Sequence, residues 1–346
     1  MNQAQPLLQV KRLSVEFPTR RGTLRAVDEI SFDIAPGEVL GVVGESGAGK
    51  SLTGAAIIGL LEPPGRIAGG EVYLGDRRID DLSPKAMRRV RGKEIGAIFQ
   101  DPLTSLNPLY TIGEQLVETI RTHLELSPAQ ARERALALLG EVGIAAAQRR
   151  IDQYPHQFSG GMRQRVVIAL ALCAHPKLII ADEPTTALDV SIQAQIIALL
   201  KRLCRDHGTA VMLITHDMGV IAETADRVAV MYAGRIVEIG AVEQVIRYPN
   251  HPYTVGLMGS IPSFSHEVQR LTQIDGTMPR LNAIPPGCPF NPRCPKVFDR
   301  CRRQRPELMG ADGGRAACWL WAQDRRDSES SLARDETKRF PDDGRA

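Results

Sequence analysis

The feature that most constrains this chain is the stretch GESGAGKS at residues 44–51, which fits the pattern G-x-x-x-x-G-K-[ST]. An apolar run, Val39 to Val43, precedes it and is typical of a buried strand. A helix-like run, Leu52 to Leu61, follows it. In this context the glycines let successive backbone N–H groups face a phosphate, and the helix start adds partial positive charge. An ordinary Gly-rich turn is the alternative, and the four-part pattern disfavours it.

The stretch therefore predicts a nucleoside triphosphate site. We expect Lys50 to reach the outer phosphates and the Ser51 hydroxyl to ligate Mg²⁺. The residues assigned to nucleotide binding here are Gly44, Ser46, Gly47, Gly49, Lys50, Ser51 and Leu52.

Composition limits the class of protein that carries this site. The 346 residues suffice for one large domain and a smaller one. Charged residues make up 24% and the net charge is +3, so no global nucleic-acid signal is present. The apolar run Val166 to Ala174 is too short to span a bilayer, and the N-terminus lacks the regions of a signal peptide. We expect a cytoplasmic protein that reaches a membrane only through partners.

Polar side chains stand at the ends of two further predicted strands. Gln100 follows Ile95 to Phe99, and a Gln there can ligate Mg²⁺ and position water through its carbonyl oxygen. Asp182 and Glu183 end the run from Leu178. Asp182 suits Mg²⁺ coordination, and Glu183 suits activation of an attacking water. The alternatives are a polar loop start and a solvated acidic turn.

His216 ends the apolar run from Ala210 to Thr215. It can contact a γ-phosphate or the water-positioning group, or it can simply end a strand. Phe17 ends the first predicted strand and can stack on adenine or join the core. We assign catalysis to Glu183, His216 and Gln100, and adenine contact to Phe17.

A second stretch that is suited to binding phosphate is Ser159-Gly160-Gly161. Ser159 can cap the helix that follows, and the two glycines leave its N–H groups open to an anion. A simple N-cap is the alternative. Two predicted helices, Ile112 to Leu124 and Ser127 to Val142, precede it, while 101–110 is predicted to be a loop. Residues 101–175 thus form a helical insertion.

In order and spacing, these motifs resemble those of ABC-type ATPases across residues 8–245. The resemblance implies an α/β P-loop ABC-type nucleotide-binding domain that binds ATP and Mg²⁺. It also implies a head-to-tail dimer, in which Ser159, Gly160 and Gly161 meet the γ-phosphate bound on the partner. Met162 stands where the commonest family pattern has Gln.

Three stretches are similar to dipeptide and oligopeptide importer ATPases, a group that includes nickel-uptake relatives. They are 99–108 (FQDPLTSLNP), 154–158 (YPHQF) and 251–254 (HPYT). The resemblance implies two membrane permeases, a second ATPase that is a sister subunit, and an external solute-binding protein contacted indirectly. It places the chain at the cytoplasmic face of the cell (inner) membrane. The loop after Gln100 would touch the permeases.

The C-terminal region, residues 246–322, is predicted to be loop-rich and carries Cys288, Cys294, Cys301 and Cys318. Four thiols in a Pro-rich segment with little apolar core suggest that a metal stabilises it. The absence of a C-x-x-C pair argues against a zinc ribbon. Irregular spacing suits an iron–sulfur cluster. The resemblance agrees, because some peptide-importer ATPases hold a [4Fe–4S] cluster. The alternative is four reduced thiols packing a subdomain. Residues 323–346 are charged and predicted to be disordered.

These observations predict the ATP-hydrolysing, energy-coupling subunit of an importer for dipeptides, oligopeptides or a related solute, with no nucleic-acid partner. One rival is a soluble ABC ATPase acting on DNA or ribosomes, which usually carries tandem nucleotide domains or long coiled-coil insertions. The other is an inactive regulatory subunit with a redox-sensing cluster. The presence of Lys50, Glu183 and His216 disfavours it.

Overall fold

A computed structural model describes residues 5–186, 188–259, 274–311 and 314–321. Its strands are β1 (Leu8–Thr19), β2 (Gly22–Ile34), β3 (Val39–Val43), β4 (Arg66–Leu74), β5 (Arg77–Arg78), β6 (Ile95–Ile98), β7 (Leu178–Asp182), β8 (Ala210–Ile214), β9 (Arg227–Tyr232), β10 (Arg235–Ala241), β11 (Met309–Ala311) and β12 (Gly314–Ala316). Its helices are α1 (Lys50–Ile57), α2 (Pro84–Val90), α3 (Pro102–Ser105), α4 (Ile112–His123), α5 (Pro128–Glu141), α6 (Ala147–Arg150), α7 (Gly160–Leu172), α8 (Val190–His207), α9 (Met218–Thr224), α10 (Val242–Arg247), α11 (Pro252–Gly259) and α12 (Asp299–Arg303).

The strands form two sheets that enclose α1. The smaller sheet is antiparallel, in the order β2-β1-β4-β5. The larger has the order β11-β12-β10-β9-β3-β8-β7-β6, and its stretch from β9 to β6 is parallel. Helix α1 contacts β1, β2 and β4 on one side and β7 and β8 on the other. The predicted α/β class is confirmed.

Two apolar cores lie on opposite faces of the larger sheet. One fills the space between the two sheets around α1, with Leu13, Leu40 and Ile57 fully buried. The other lies under α4, α5, α7 and α8 and includes Leu116, Leu139 and Ile168. Alternate residues of β3 serve the two cores, because successive side chains of a strand point to opposite faces: Val42 enters the first core and Val43 the second.

Local signals explain where the inserted helices begin. The Thr111 hydroxyl accepts the Glu114 N–H at 3.2 Å, and the Glu114 carboxylate accepts the Thr111 N–H at 2.7 Å. This reciprocal capping box starts α4. Ser127 caps α5 in the same way with Gln130, and Pro128 takes the first helical position, where its missing N–H costs nothing.

Three local expectations need correction or extension. The segment 101–110, predicted to be a loop, contains the short helix α3, whose turn is closed by the Ser105 hydroxyl donating to Asp101 O at 2.8 Å. The sequence predicts a short strand over Glu71 to Leu74, and in the structure this strand, β4, begins at Arg66, because β1 supplies pairing partners there. The C-terminal region also contributes β12, which pairs with β10 of the larger sheet.

Within the described ranges, no helix has both the length and the apolar character needed to cross a membrane. The predicted disordered tail, residues 323–346, lies outside the described residues.

Candidate active site

The carboxyl ends of four parallel strands bring the predicted catalytic groups into one row. Strand β3 leads into the P-loop (residues 44–51), and its neighbour β8 is followed by His216. Next come β7, with Asp182 and Glu183 at its end, and β6, which is followed by Gln100. Parallel strands place their carboxyl ends at a common edge, which is where open α/β sheets bind ligands.

The P-loop is held in shape by its own lysine and by glycine conformations. Lys50 is buried, and its Nζ donates to Gly44 O at 2.8 Å and to Glu45 O at 3.1 Å. Gly44 has φ +150°, and a Cβ there would lie 2.2 Å from the Met231 carbonyl oxygen. Burial lowers the pKa of Lys50, while Glu183, Asp182 and Glu45 act in the opposite direction. The loop therefore presents a desolvated ammonium close to the expected phosphate site.

The two predicted magnesium ligands next to the P-loop touch each other. The Ser51 hydroxyl donates to Asp182 Oδ1 at 3.0 Å. Burial raises the pKa of Asp182, and this hydrogen bond opposes the rise. Hydroxyl and carboxylate oxygens are hard donors that suit Mg²⁺, so this pair fits a cation that would take the place of their shared proton.

Glu183 is the centre of a polar cluster. Its Oε2 accepts from the Thr186 hydroxyl at 2.7 Å and from Gln100 Nε2 at 3.2 Å, and its Oε1 lies 3.3 Å from His216 Nδ1. Burial acts to raise the pKa of Glu183, but hydrogen bonds from Thr186 and His216 outweigh it, so the net pKa lies below its ordinary value. The carboxylate is thus ready to accept a proton or a hydrogen bond from water.

Gln100 therefore reaches the Glu183 carboxylate through its amide nitrogen, whereas the sequence predicts metal ligation through its carbonyl oxygen. Thr186 was missed altogether. A hydroxyl three residues after an acid is the local signal that points to it, because Ser and Thr side chains bond readily to nearby groups along the chain.

Phe17 lines a cavity of about 300 Å³ that extends to the P-loop side of the sheet. Ser51, Leu52, Phe99 and Asp182 line the same cavity. Phe17 and Leu52 thus lie on one cavity with the predicted magnesium ligands, and adenine stacking by Phe17 stays a prediction.

The second predicted phosphate-binding stretch, Ser159-Gly160-Gly161, here called the signature stretch, lies apart from this site. Ser159 begins α7, and its hydroxyl accepts the Met162 N–H at 3.4 Å. Gly161 has no room for a side chain, since a Cβ would lie 2.9 Å from Ile192 Cγ2. Among the residues described, no hydrogen bond or ion pair joins Ser159, Gly160 or Gly161 to the P-loop. Met162 accepts a weak bond from Arg150 at 3.7 Å through its sulfur.

The four C-terminal cysteines line one cavity. His251, Phe290 and Asn291 line it too. Cys288, Cys301 and Cys318 are buried, and the Cys288 N–H donates to Cys301 O at 2.8 Å. Burial raises the pKa of Cys288 to about 12, with smaller contributions from the other three thiols. The four cysteines, which are spread over 31 positions of the sequence, thus line one desolvated cavity.

These four thiols fit a soft metal centre in chemistry but not in volume. The cavity measures about 20 Å³, close to the space of one water molecule. No group of three or more His, Cys, Asp or Glu side chains in the described ranges is arranged to hold a metal ion. A cluster would therefore require the thiols to move apart. Four thiolate donors are nevertheless the ligand set that iron–sulfur clusters use.

Comparison with known proteins agrees with this geometry. Residues 27–186 match the family described as ABC transporter, and residues 237–301 match the family described as oligopeptide/dipeptide transporter, C-terminal region. The dipeptide transport ATP-binding protein DppD of Bacillus subtilis (strain 168) is 49% identical over 95% of this chain and 98% of its own length. The oligopeptide transport ATP-binding protein OppD of Escherichia coli (strain K12) is 47% identical over 92% of this chain and 94% of its own.

A solved structure shares the fold. The ATP-binding cassette MJ0796, in a dimeric post-hydrolysis state bound to ADP and Pi, superposes with a TM-score of 0.61 and 30% identity, covering 68% of this chain and 98% of that one. The chain belongs to the ABC transporter ATPases, in the dipeptide and oligopeptide importer family.

Proposed function

We propose that this chain hydrolyses ATP to drive import of dipeptides, oligopeptides or a related solute. The observation that carries the proposal is the meeting of Lys50, Ser51, Asp182, Glu183 and His216 at one sheet edge. The class of cargo comes from the relatives, which are named as dipeptide and oligopeptide transport ATP-binding proteins.

In the proposed reaction, a water attacks the γ-phosphorus in line while the bond to the bridging oxygen of ADP breaks. Lys50 leaves the loop carbonyls and donates to the phosphates. Ser51 and Asp182 would hold Mg²⁺, which when bound would neutralise charge that develops on the phosphate oxygens. Glu183 accepts the proton that the attacking water loses, and Thr186 and His216 orient the carboxylate. Gln100 also contacts the Glu183 carboxylate, so that Gln100 and His216 both take part in the proposed catalytic site.

The site needs a second ATPase subunit in this proposal. Ser159 and Gly160 are exposed on the surface, and Val190 at the start of α8 is 82% exposed. These positions suit a head-to-tail partner whose signature stretch would meet ATP on this P-loop. The MJ0796 structure, which is a dimer bound to ADP and Pi, supports the proposal of a dimer. We propose a sister subunit as the partner.

The exposed surface after Gln100 suits the membrane partners. Leu109 is 79% exposed and Tyr110 is 50% exposed, both in the loop between α3 and α4. We propose that this loop contacts one of two membrane permeases, at the cytoplasmic face of the cell membrane. An external solute-binding protein would act through the permeases.

We also propose that Cys288, Cys294, Cys301 and Cys318 hold a [4Fe–4S] cluster. The support is their shared, buried cavity. A bound cluster would cross-link four distant points of the C-terminal region. Cys294→Ser should abolish bound iron and the visible absorbance of the purified protein without abolishing nucleotide binding. Cys204→Ala is the matched control, because Cys204 is buried in α8 and lines no part of this cavity. Unchanged iron in Cys294→Ser would defeat this assignment.

The experiment that tests the main proposal is affinity purification from native membranes, followed by mass spectrometry and metal analysis. Co-purification of two permeases and a second ATPase supports it, and peptide uptake that requires this chain completes the test. Recovery of ribosomes or DNA alone would favour the soluble rival. Iron without permeases would favour the sensor rival.

A further inference from the structure

The second residue of the P-loop is held by the C-terminal region. The Glu45 N–H donates to the Tyr253 hydroxyl at 2.8 Å, and Glu45 Oε2 accepts from the Arg293 guanidinium at 3.0 Å. The Glu45 carbonyl meanwhile accepts from Lys50. All three polar parts of this residue are therefore engaged, two of them by side chains more than 200 positions away in sequence.

Arg293 is fixed by its own surroundings rather than by Glu45. Its side chain is 7% exposed. Its Nε donates to Asp275 O at 2.8 Å, and its other nitrogens reach the carbonyls of Ile274 and Gly276 and the Tyr232 hydroxyl. A planar guanidinium with this many partners has one orientation. It is a rigid anchor against which the loop can be placed.

Tyr253 is equally fixed. Its ring packs at 4.7 Å from Tyr232 and 5.4 Å from Phe290, and the Tyr232 and Phe290 rings are 5.2 Å apart. These three rings are fully buried or nearly so. Arg293 lies over two of them, Tyr232 and Phe290. The hydroxyl that receives the Glu45 N–H thus has little freedom to follow a moving loop.

The charge of Glu45 makes this contact matter for nucleotide binding. Glu45 is the one acidic residue of the stretch 44–51, and an unpaired carboxylate beside a phosphate site repels the ligand. The ion pair with Arg293 neutralises the charge of Glu45 and fixes the position of its carboxylate. It also helps to hold the loop in one shape, which lowers the ordering cost of binding.

We propose that Arg293 and Tyr253 are positioning residues that hold the P-loop at Glu45 and thereby set its affinity for nucleotide phosphates. The proposal rests on the nucleotide site described above and adds a role for the C-terminal region within it. Arg293 acts through Glu45 and touches no reacting atom.

The test is equilibrium binding of ATP, ADP and adenosine to the full chain. Arg293→Gln should weaken ATP and ADP binding by about fivefold or more, at the lower end of couplings between distinct sites. Adenosine, which has no phosphates, should change by less than about twofold. Arg303→Gln is the control, because Arg303 carries the same charge in the same region but forms an exposed pair with Asp299.

A double variant separates positioning from general damage. Glu45→Gln combined with Arg293→Gln removes the unpaired carboxylate and should recover part of the ATP affinity lost in Arg293→Gln alone. Tyr253→Phe, which removes a single hydroxyl, should weaken ATP in the same direction. If Arg293→Gln does not fold, ATP binding by Tyr253→Phe tests the proposal in its place.

Three results would overturn the proposal: ATP affinity within about twofold of wild type in folded Arg293→Gln and Tyr253→Phe, equal losses for ATP and adenosine, or a double variant no better than Arg293→Gln. Failure of the wild-type chain to bind ATP would instead count against the proposed function.

Discussion

At the scale of single residues, Glu183 combines an unusual backbone with a crowded carboxylate. Its φ is +46°, a left-handed value that is costly for a residue with a side chain. Its N–H donates to Ile214 O at 2.8 Å, which continues the pairing of β7 with β8 beyond the strand end. The strained turn directs the side chain toward Thr186, Gln100 and His216 rather than along the sheet.

Glu183→Gln should retain ATP binding but lose turnover by about 10²–10⁴-fold, because an amide cannot accept the proton of the attacking water. Steady-state phosphate release and equilibrium ATP binding measure the two effects separately. Glu133→Gln, an exposed position on α5, is the control. Wild-type hydrolysis by Glu183→Gln would refute the assigned role.

Thr186→Val should shift the pH dependence of hydrolysis. The Thr186 hydroxyl helps to hold the pKa of Glu183 below its ordinary value, so removing it raises that pKa. The acid limb of kcat/KM should therefore move to higher pH. Thr186→Ser keeps a donor and should retain the wild-type profile. Coincident acid limbs for all three proteins would show that Thr186 does not tune this carboxylate.

At the scale of elements, strand β10 anchors the start of the C-terminal region through a buried acid. Glu238 is 1% exposed. Its carboxylate accepts the N–H groups of Asn250 and His251 at 2.7 and 3.0 Å and the Asn250 side chain at 3.3 Å. Burial raises the pKa of Glu238, and the hydrogen bonds oppose the rise. This contact places α11, and with it Tyr253, beside the P-loop.

Glu238→Ala should destabilise the protein by about 3 kcal/mol or more, because the buried His251 N–H and the half-buried Asn250 N–H lose their acceptor. The free energy of unfolding in urea measures the change. Glu243→Ala, at an exposed residue paired with Arg247, should change stability by less than about 0.5 kcal/mol. A similar small effect at both positions would mean that the buried acid does not anchor the region.

Sequence patterns predicted the elements whose causes are local. The bounds of α4 and α5 follow from capping residues, and the motifs at the ends of β3, β7 and β8 identified the groups of the site. Helix α3 and the pairing of β12 with β10 were not predicted, because a four-residue helix and a three-residue strand carry almost no periodicity.

The link between Glu45 and Arg293 had no sequence signal either. The two residues are 248 positions apart, and each alone is an ordinary charged residue in a loop. Their proximity depends on the complete larger sheet, on the anchor at Glu238 and on the aromatic cluster. Such contacts arise from topology, which local propensity does not encode.

At the scale of the whole molecule, the candidate nucleotide site and the cavity of the four cysteines are linked through a few residue contacts. Glu45 belongs to the P-loop, Arg293 contacts it, and Cys294 is the next residue along the chain. Phe290 packs on Tyr253 and also lines the cavity of the four cysteines. The C-terminal region is therefore part of the framework of the ATPase, built onto the same sheet through β12.

The adjacency of Arg293 and Cys294 has a thermodynamic consequence. Binding at two linked sites is reciprocal: if metal on the thiols raises the affinity for nucleotide, nucleotide raises the affinity for metal by the same factor. If the four thiols hold the proposed cluster and the coupling is of this sign, the purified protein should retain iron to a higher chelator concentration with ADP present than without it. Arg293→Gln should remove that difference. The proposed cluster would in that case be retained more firmly while a nucleotide is bound.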